Sequence, residues 1–217
     1  MVEQVTNQLS RGGSTPTLPL QLAEIPSCLA RTIVEKNHYS HIFPQAVKLC
    51  HGAIGGQGLC GVSVYSISSN RHAFSCLGLV NGWELSRLWY EDGHDGNALS
   101  RFVSISLRKL PVDNIISYAD GQQNHVGYIY QALNFIYVGE TGIESRFIHN
   151  GQLITRRHLG RKIGHTERGD REELLRSGAV MFKSKPKYKY VWLKDKHKRA
   201  DFASAFGKPY PKNLCSP

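Results

Sequence analysis

Between Trp83 and Gly139 the chain reads strand, helix, strand, helix, strand, and this order limits its fold more than any other feature. Trp83–Tyr90 is a strand, and residues 97–109 form a helix with Asn97 as N-cap and Pro111 just past its end. Ile115-Ile116-Ser117-Tyr118-Ala119 is a short buried strand stopped by Asp120-Gly121, residues 125–132 a helix and 135–139 a strand. Upstream, Pro26 opens a helix over 26–36, and strands at 47–49 and 59–66 flank the turn Gly55-Gly56-Gln57-Gly58. In the second of these strands Val62, Val64 and Ser66 face one way, and Gly61, Ser63 and Tyr65 the other. Residues 74–80 are an irregular strand or loop. Downstream, residues 146–156 fit a hairpin turning at Asn150-Gly151, followed by a helix at 170–177 and a strand at 188–193. The class expected is α/β (α+β), a mixed, mostly antiparallel sheet flanked by helices.

A chain of 217 residues is sized for one such domain with elaborations. Residues 1–19 are polar and form a loose arm, 20–145 a catalytic core, and 146–217 a basic extension of the same domain. That extension dominates the charge. Residues 146–199 hold 16 Lys+Arg against 5 Asp+Glu, a net of +11, whereas the remainder carries 11 against 12. A neutral body with one basic third is the footprint of a polyanion-binding protein. Aromatics alternate with the cations in Lys185-Pro186-Lys187-Tyr188-Lys189, so phosphate neutralisation can combine with base stacking. The candidate nucleic-acid contacts are Arg156, Arg157, Arg161, Lys162, Lys185, Lys187, Tyr188 and Lys189.

No apolar run approaches the roughly 20 residues of a membrane span, and no secretory leader is evident, so a soluble cytoplasmic protein is expected. Five cysteines without a C-x-x-C pair argue for buried reduced thiols rather than disulfides or a thiolate metal site. His38 and His41 at i, i+3, with His94 beside Asp95, could contribute to an N/O metal site, but neither H-E-x-x-H nor facial-triad spacing is present, and no metal ligand is assigned. A Ser-His-Asp hydrolase is disfavoured by the lack of a nucleophile elbow.

Four short polar-aromatic signatures sit at or beside the ends of apolar runs in the central region. They contain Ser86-Arg87-Leu88, Asn97-Ala98-Leu99-Ser100, Ser117-Tyr118-Ala119-Asp120 and Gly127-Tyr128-Ile129-Tyr130-Gln131-Ala132-Leu133-Asn134-Phe135. In this order, over roughly residues 36–140, they resemble the phage-type Mom DNA-modification proteins, which look like distant relatives of the GNAT acyltransferases. The resemblance implies a GNAT-like fold and an enzyme that converts N6 of adenine in DNA to an N6-carbamoylmethyl group, protecting phage DNA from restriction. It implies functional roles for Tyr39, Arg87, Ser100, Asp120 and Tyr130, with Arg87, Asn97 and Ser100 near a small-molecule group donor and double-stranded DNA as the substrate. The chain departs from GNAT enzymes where they carry the pyrophosphate-binding Q/R-x-x-G-x-G/A. It reads Gly93-His94-Asp95-Gly96-Asn97-Ala98, without a basic residue and with a carboxylate that would repel a pyrophosphate. The donor is therefore unidentified, an acyl-CoA type among the candidates.

The residue types suit the chemistry. Adenine N6 is a weak nucleophile whose lone pair is delocalised, so it needs a base, and Asp120 at a strand end before Gly121 is the candidate. Asp120 could instead cap the following turn. Arg87 follows Ser86 on a strand, so the two should face opposite sides. Its planar fork can clamp a carboxylate, phosphate or carbonyl, or pair with Glu84. Ser100, in the first turn of its helix, can bond a donor or satisfy a helix-start amide. Tyr130 is a general acid or orienting hydroxyl, while Tyr128 and Tyr137 are expected in the core. Tyr39 can stack on an extruded adenine or pack at a helix end. Two other functions fit the sequence: a CoA-dependent N-acetyltransferase acting on a small amine or protein, and a non-catalytic nucleic-acid-binding protein.

Overall fold

In a computed structural model, residues 20–92, 96–154, 159–160, 164 and 166–212 are described. Two sheets and five helices follow in the order β1 (Gln21–Glu24), α1 (Ser27–Asn37), β2 (Val47–Gly55), β3 (Gly58–Ser66), β4 (Trp83–Tyr90), α2 (Ala98–Lys109), β5 (Asn114–Asp120), α3 (Tyr128–Ala132), β6 (Ile136–Glu140), β7 (Ser145–His149), β8 (Gln152–Ile154), α4 (Glu167–Arg176), β9 (Val180–Lys183), β10 (Lys187–Leu193) and α5 (His197–Phe206). The main sheet has the order β1-β2-β3-β4-β5-β10-β6. Among the described residues only β4 and β5 pair in parallel. A parallel pair needs a long crossover, and α2 supplies it. The mixed, mostly antiparallel sheet flanked by helices is the class expected.

Helices cover both faces of this sheet. On one, Phe102, Val103 and Leu107 of α2 meet Tyr65, Leu85, Ile115, Tyr190 and Trp192. On the other, Ala30 and Val34 of α1 pack on Cys50, Val62 and Val64, and Phe202 of α5 on Ile116, Val191 and Leu193. Fully burying a side chain such as Phe102, Leu107, Ile115 or Val34 contributes about 1.5–3 kcal/mol. A buried polar hub lies under α2: the Ser106 hydroxyl meets His51 Nδ1 at 2.8 Å, Tyr65 OH at 2.6 Å and Ser63 Oγ at 3.2 Å.

The basic third is woven into the main sheet. Its strand β10 lies between β5 and β6, bonded to both. The second sheet, β8-β7-β9, continues the β6–β10 ribbon outward. The bridging bonds run from Thr141 N to Lys187 O (2.8 Å), Lys187 N to Thr141 Oγ1 (3.0 Å), Ser184 N to Glu144 O (2.9 Å) and Glu144 N to Ser184 Oγ (3.2 Å). The hairpin turns at Asn150 (φ 50) and Gly151 (φ 73), the two left-handed residues a type I′ turn requires.

Several local expectations are corrected. The helix expected from residue 125 begins at Tyr128, because a 3-10 turn at Gly121–Gln123 and left-handed Asn124 and Gly127 occupy the preceding chain. β2 runs on to Gly55, and β1, β9 and α5 had no clear sequence signal. Tyr137 is in the core, but Tyr128 is 60% exposed, on the outer side of a five-residue helix. Cys50 and Cys60 are buried thiols, whereas Cys28 and Cys76 are exposed. The N-terminal arm, His94 and Asp95 lie outside the described residues. Among the described residues no helix is long and apolar enough to cross a membrane.

Candidate active site

β4 and β5 stay paired for only three positions, ending at Leu85 opposite Ser117, and then diverge. At that point the Leu85 carbonyl accepts a hydrogen bond from Ser117 Oγ (2.9 Å), a side chain taking over where the ladder stops. At the same level β4 carries a bulge against β3: Tyr65 opposes Leu85, Val64 opposes Arg87, and Ser86 is the extra residue. Leu85 and Leu88, three apart, consequently both belong to the α2-side core. The bulge also overturns the expected opposition of Ser86 and Arg87. Ser86 hydrogen-bonds Ser66, and Arg87 donates from Nε to the Ile42 carbonyl (2.7 Å) and from Nη1 to Ser86 O (2.6 Å), so both serve the α1 side. Bulges beside active sites commonly re-aim a side chain in this way.

The C-terminal end of α1 closes over this opening. His38 is buried, and Ser40 N donates to its Nδ1 (3.1 Å). A backbone N–H can only donate, so the neutral ring carries its proton on Nε2. Burial, then Arg87, His125 and His41, lowers His38 to about 4. Tyr39 next to it is 44% exposed, with its ring 4.3 Å from that of His38 and edge-on to His125 at 5.5 Å. Its hydroxyl is raised by burial and by the Asp120 carboxylate, against the opposing pull of Arg87, so Tyr39 lies within the fields of both charges.

Asp120 ends β5. One carboxylate oxygen accepts from Gln122 N (3.0 Å), and its carbonyl accepts from His125 N (3.1 Å), a closed turn that delivers His125 to Tyr39. Gly121 is required here by contact: a Cβ would lie 2.3 Å from the Pro186 carbonyl oxygen. Tyr130 enters from the α2 side, its ring 5.2 Å from that of Tyr190 and 5.3 Å from that of Phe135. Its hydroxyl interacts with Ser117; burial pushes it up to about 12, so it is a neutral donor at physiological pH. Tyr39 is therefore within electrostatic reach of Asp120, Arg87 and Tyr130, beside the β4–β5 opening.

Ser100 is placed differently: its hydroxyl donates to Asn97 O (2.9 Å) at the start of α2, where Asn97 occupies the N-cap position without a side-chain cap bond. Lys185 borders the Asp120 turn, its backbone N bonded to Gln122 Oε1 (3.2 Å) and Nζ to Asn124 Oδ1 (2.8 Å). Lys187 is the ladder partner of Asp120, and Tyr188 of Ala119. Lys189 instead donates to the Ala73 carbonyl (2.9 Å). Arg156, Arg157, Arg161 and Lys162 lie outside the described residues. His41 Nδ1 is bonded to the Glu35 carbonyl (2.9 Å). Among the described residues, no three His, Cys, Asp or Glu side chains gather as a metal site.

Sequence reasoning missed three members of this cluster. Ser117 stands inside one of the signatures and His38 beside Tyr39, so both were within reach. His125 had no signal, because its position depends on the turn at 121–124.

The Mom protein family profile matches residues 19–212. The chain belongs to the Mom protein family. A relative in this family, methylcarbamoylase mom of Escherichia phage Mu, is 28% identical over 205 residues, covering 89% of this chain and 84% of its own. Solved structures similar to this Mom family chain include a Bacillus subtilis acetyltransferase in complex with CoA (TM-score 0.44, 13% identity, 81% of this chain and 99% of that one). Others are a Vibrio cholerae spermidine N-acetyltransferase (0.46, 12%, 83% and 96%) and Arabidopsis thaliana NAA60 in complex with acetyl-CoA (0.46, 12%, 81% and 98%).

Proposed function

We propose that this enzyme is a transferase that modifies DNA, placing a carbamoylmethyl group on N6 of adenine. The observation that carries this reading is the position of Tyr39, within the fields of both Asp120 and Arg87 at the mouth of the β4–β5 opening, in a Mom family chain. Tyr39 stacks on the extruded adenine, offsetting part of the few kcal/mol that unstacking costs. Asp120 accepts a proton from N6 as the new N6–carbon bond forms and the donor's leaving group departs with its bonding electron pair. The neutral Tyr130 hydroxyl and the Arg87 guanidinium stabilise the negative charge that develops on the donor. Lys185 and Lys187, beside the Asp120 turn, hold backbone phosphates, and the duplex lies against the basic third. The donor is a small molecule presenting an activated carbamoylmethyl group, and the mass of the product identifies what it transfers.

Expression with a plasmid, digestion of that plasmid to nucleosides and mass spectrometry beside an Asp120→Asn control test this function. A heavier deoxyadenosine present only with the wild type is expected. Unaltered nucleosides from folded protein would overturn the proposal and favour an acetyltransferase of small amines or a plain DNA binder.

A further inference from the structure

The loop that carries Tyr39 also holds an aliphatic side chain in solvent. Ile42 is 64% exposed, yet the chain is fixed on both sides of it. His41 before it has a left-handed backbone (φ 48), a conformation that a residue with a Cβ keeps only where its surroundings enforce it. Here the His41 N–H donates to the His38 carbonyl (2.9 Å) and its Nδ1 bonds the Glu35 carbonyl (2.9 Å). Phe43 after it is buried among Ala30, Val34 and Val62, with the Arg31 guanidinium 5.0 Å from its ring. The Ile42 carbonyl itself accepts from Arg87 Nε (2.7 Å). The side chain is thus held out from the protein by bonds on either side.

A lone solvated isoleucine needs no partner of its own, so its position decides what this one can do. Ile42 is three residues from Tyr39, at most about 11 Å of extended chain. A major groove is about 8.5 Å deep, so an adenine received on the Tyr39 ring leaves its gap in the duplex within reach of Ile42. The other side chains of the turn face inward: Ser40 Oγ is bonded to His38 Nδ1 (2.9 Å), and His41 is turned back onto α1. Between Tyr39 and Phe43, the side chain left to meet the DNA is aliphatic.

Extrusion of a base leaves an unfilled step in the stack, which opposes the reaction unless something replaces the lost contacts. Proteins that part base steps do so with apolar wedges, isoleucine among them, because a polar group would have to be desolvated to enter the stack. We propose that Ile42 is such a wedge: it enters the duplex and fills the place of the extruded adenine while Tyr39 receives the base. The proposal rests on the DNA-modifying function above and adds to it the means by which the adenine is kept out of the helix. Since the Ile42 carbonyl is bonded to Arg87, the wedge is anchored to the same strand that carries the donor-stabilising guanidinium.

Duplexes copied from the plasmid, with 2-aminopurine replacing each adenine in turn, test the wedge with the full chain and without a donor. This adenine analogue is bright only when unstacked. The wild type is expected to raise the fluorescence at its target position. In Ile42→Ala the extruded population is expected to fall by up to about 50-fold, the equivalent of three buried carbons. An abasic site opposite the 2-aminopurine removes its pairing partner and is expected to restore the variant's signal. Ile42→Leu is expected to restore it on the normal duplex. Matching thermal melts establish that both variants remain folded. A wild-type signal from Ile42→Ala overturns the proposal. So does a loss that the abasic partner does not repair, which would make Ile42 a support for the Tyr39 loop. A wild type that brightens no position while plasmid adenine is still modified sinks the wedge alone. An Ile42-dependent signal without a heavier deoxyadenosine sinks the proposed chemistry and spares the wedge.

Discussion

Lys187 and Asp120 face each other across the β5–β10 ladder, so the basic segment and the proposed base are fixed on one rung of the sheet. Binding and catalysis should nevertheless separate by mutation. In Asp120→Asn the amide oxygen can still accept from Gln122 N, preserving the turn. Loss of the base is expected to slow modification by about 10²–10⁴-fold while DNA affinity is retained. Nucleoside mass spectrometry and a binding titration on the same preparation check this, and parallel loss of both would make Asp120 structural.

Tyr130→Phe keeps the ring packing on Tyr190 and Phe135 and removes only the hydroxyl near Ser117. Stability should change by about 1 kcal/mol, while the modification rate falls about 10²–10³-fold. A melt together with single-turnover kinetics measures both. A rate close to wild type would remove this hydroxyl from the chemistry.

His38 gives the fold an acid limit. Its folded value of about 4 lies below the 6.5 of an unperturbed histidine, so between these values the unfolded chain binds more protons than the folded one. Stability from this group is full above pH 6.5 and falls as the pH drops toward 4, by up to about 3 kcal/mol. Melting temperature against pH should show the slope in the wild type and a shallower one in His38→Asn.

Two lysines four residues apart should behave oppositely in salt. Lys185 lies exposed at the Asp120 turn, whereas the Lys189 ammonium is bonded to the Ala73 carbonyl. Lys185→Gln is expected to reduce the slope of log K against log[salt] by about 0.9, the value of one phosphate contact. Lys189→Gln should leave that slope alone and lower stability instead.

Ser106→Ala removes the hydroxyl shared by His51, Tyr65 and Ser63 under α2. Leaving buried groups unsatisfied should cost about 1–3 kcal/mol, read by chemical denaturation, without changing the chemistry at the β4–β5 opening. A neutral result would mean that water replaces the hydroxyl.

The strands and helices of the central region were legible because each keeps its own period between clear stops, as Trp83–Tyr90 and Ala98–Lys109 do. The bulge at Ser86 was not, since it arises from pairing with β3 and leaves the apolar pattern of β4 merely shifted by one. The resemblance to the Mom family singled out Tyr39, Arg87, Asp120 and Tyr130, together with Ser100, as a set. That Tyr39 lies within reach of Arg87, Asp120 and Tyr130 was invisible, because it depends on where β4 and β5 part. The pairing of β9 with β7, and the role of Ser184 in joining the two sheets, required the tertiary fold.

β10 lies between β5 and β6 although it follows both by more than a helix and a hairpin. A nascent chain that has already released Tyr39, Arg87, Asp120 and Tyr130 from the ribosome therefore still presents two bare strand edges, those of β5 and β6. Such edges invite pairing with other chains, so the interval before Lys187–Leu193 emerges is when this protein is most exposed to aggregation. Translation must reach the last strand before an enzyme can exist, and a premature stop just upstream would yield a sticky fragment rather than a weak catalyst.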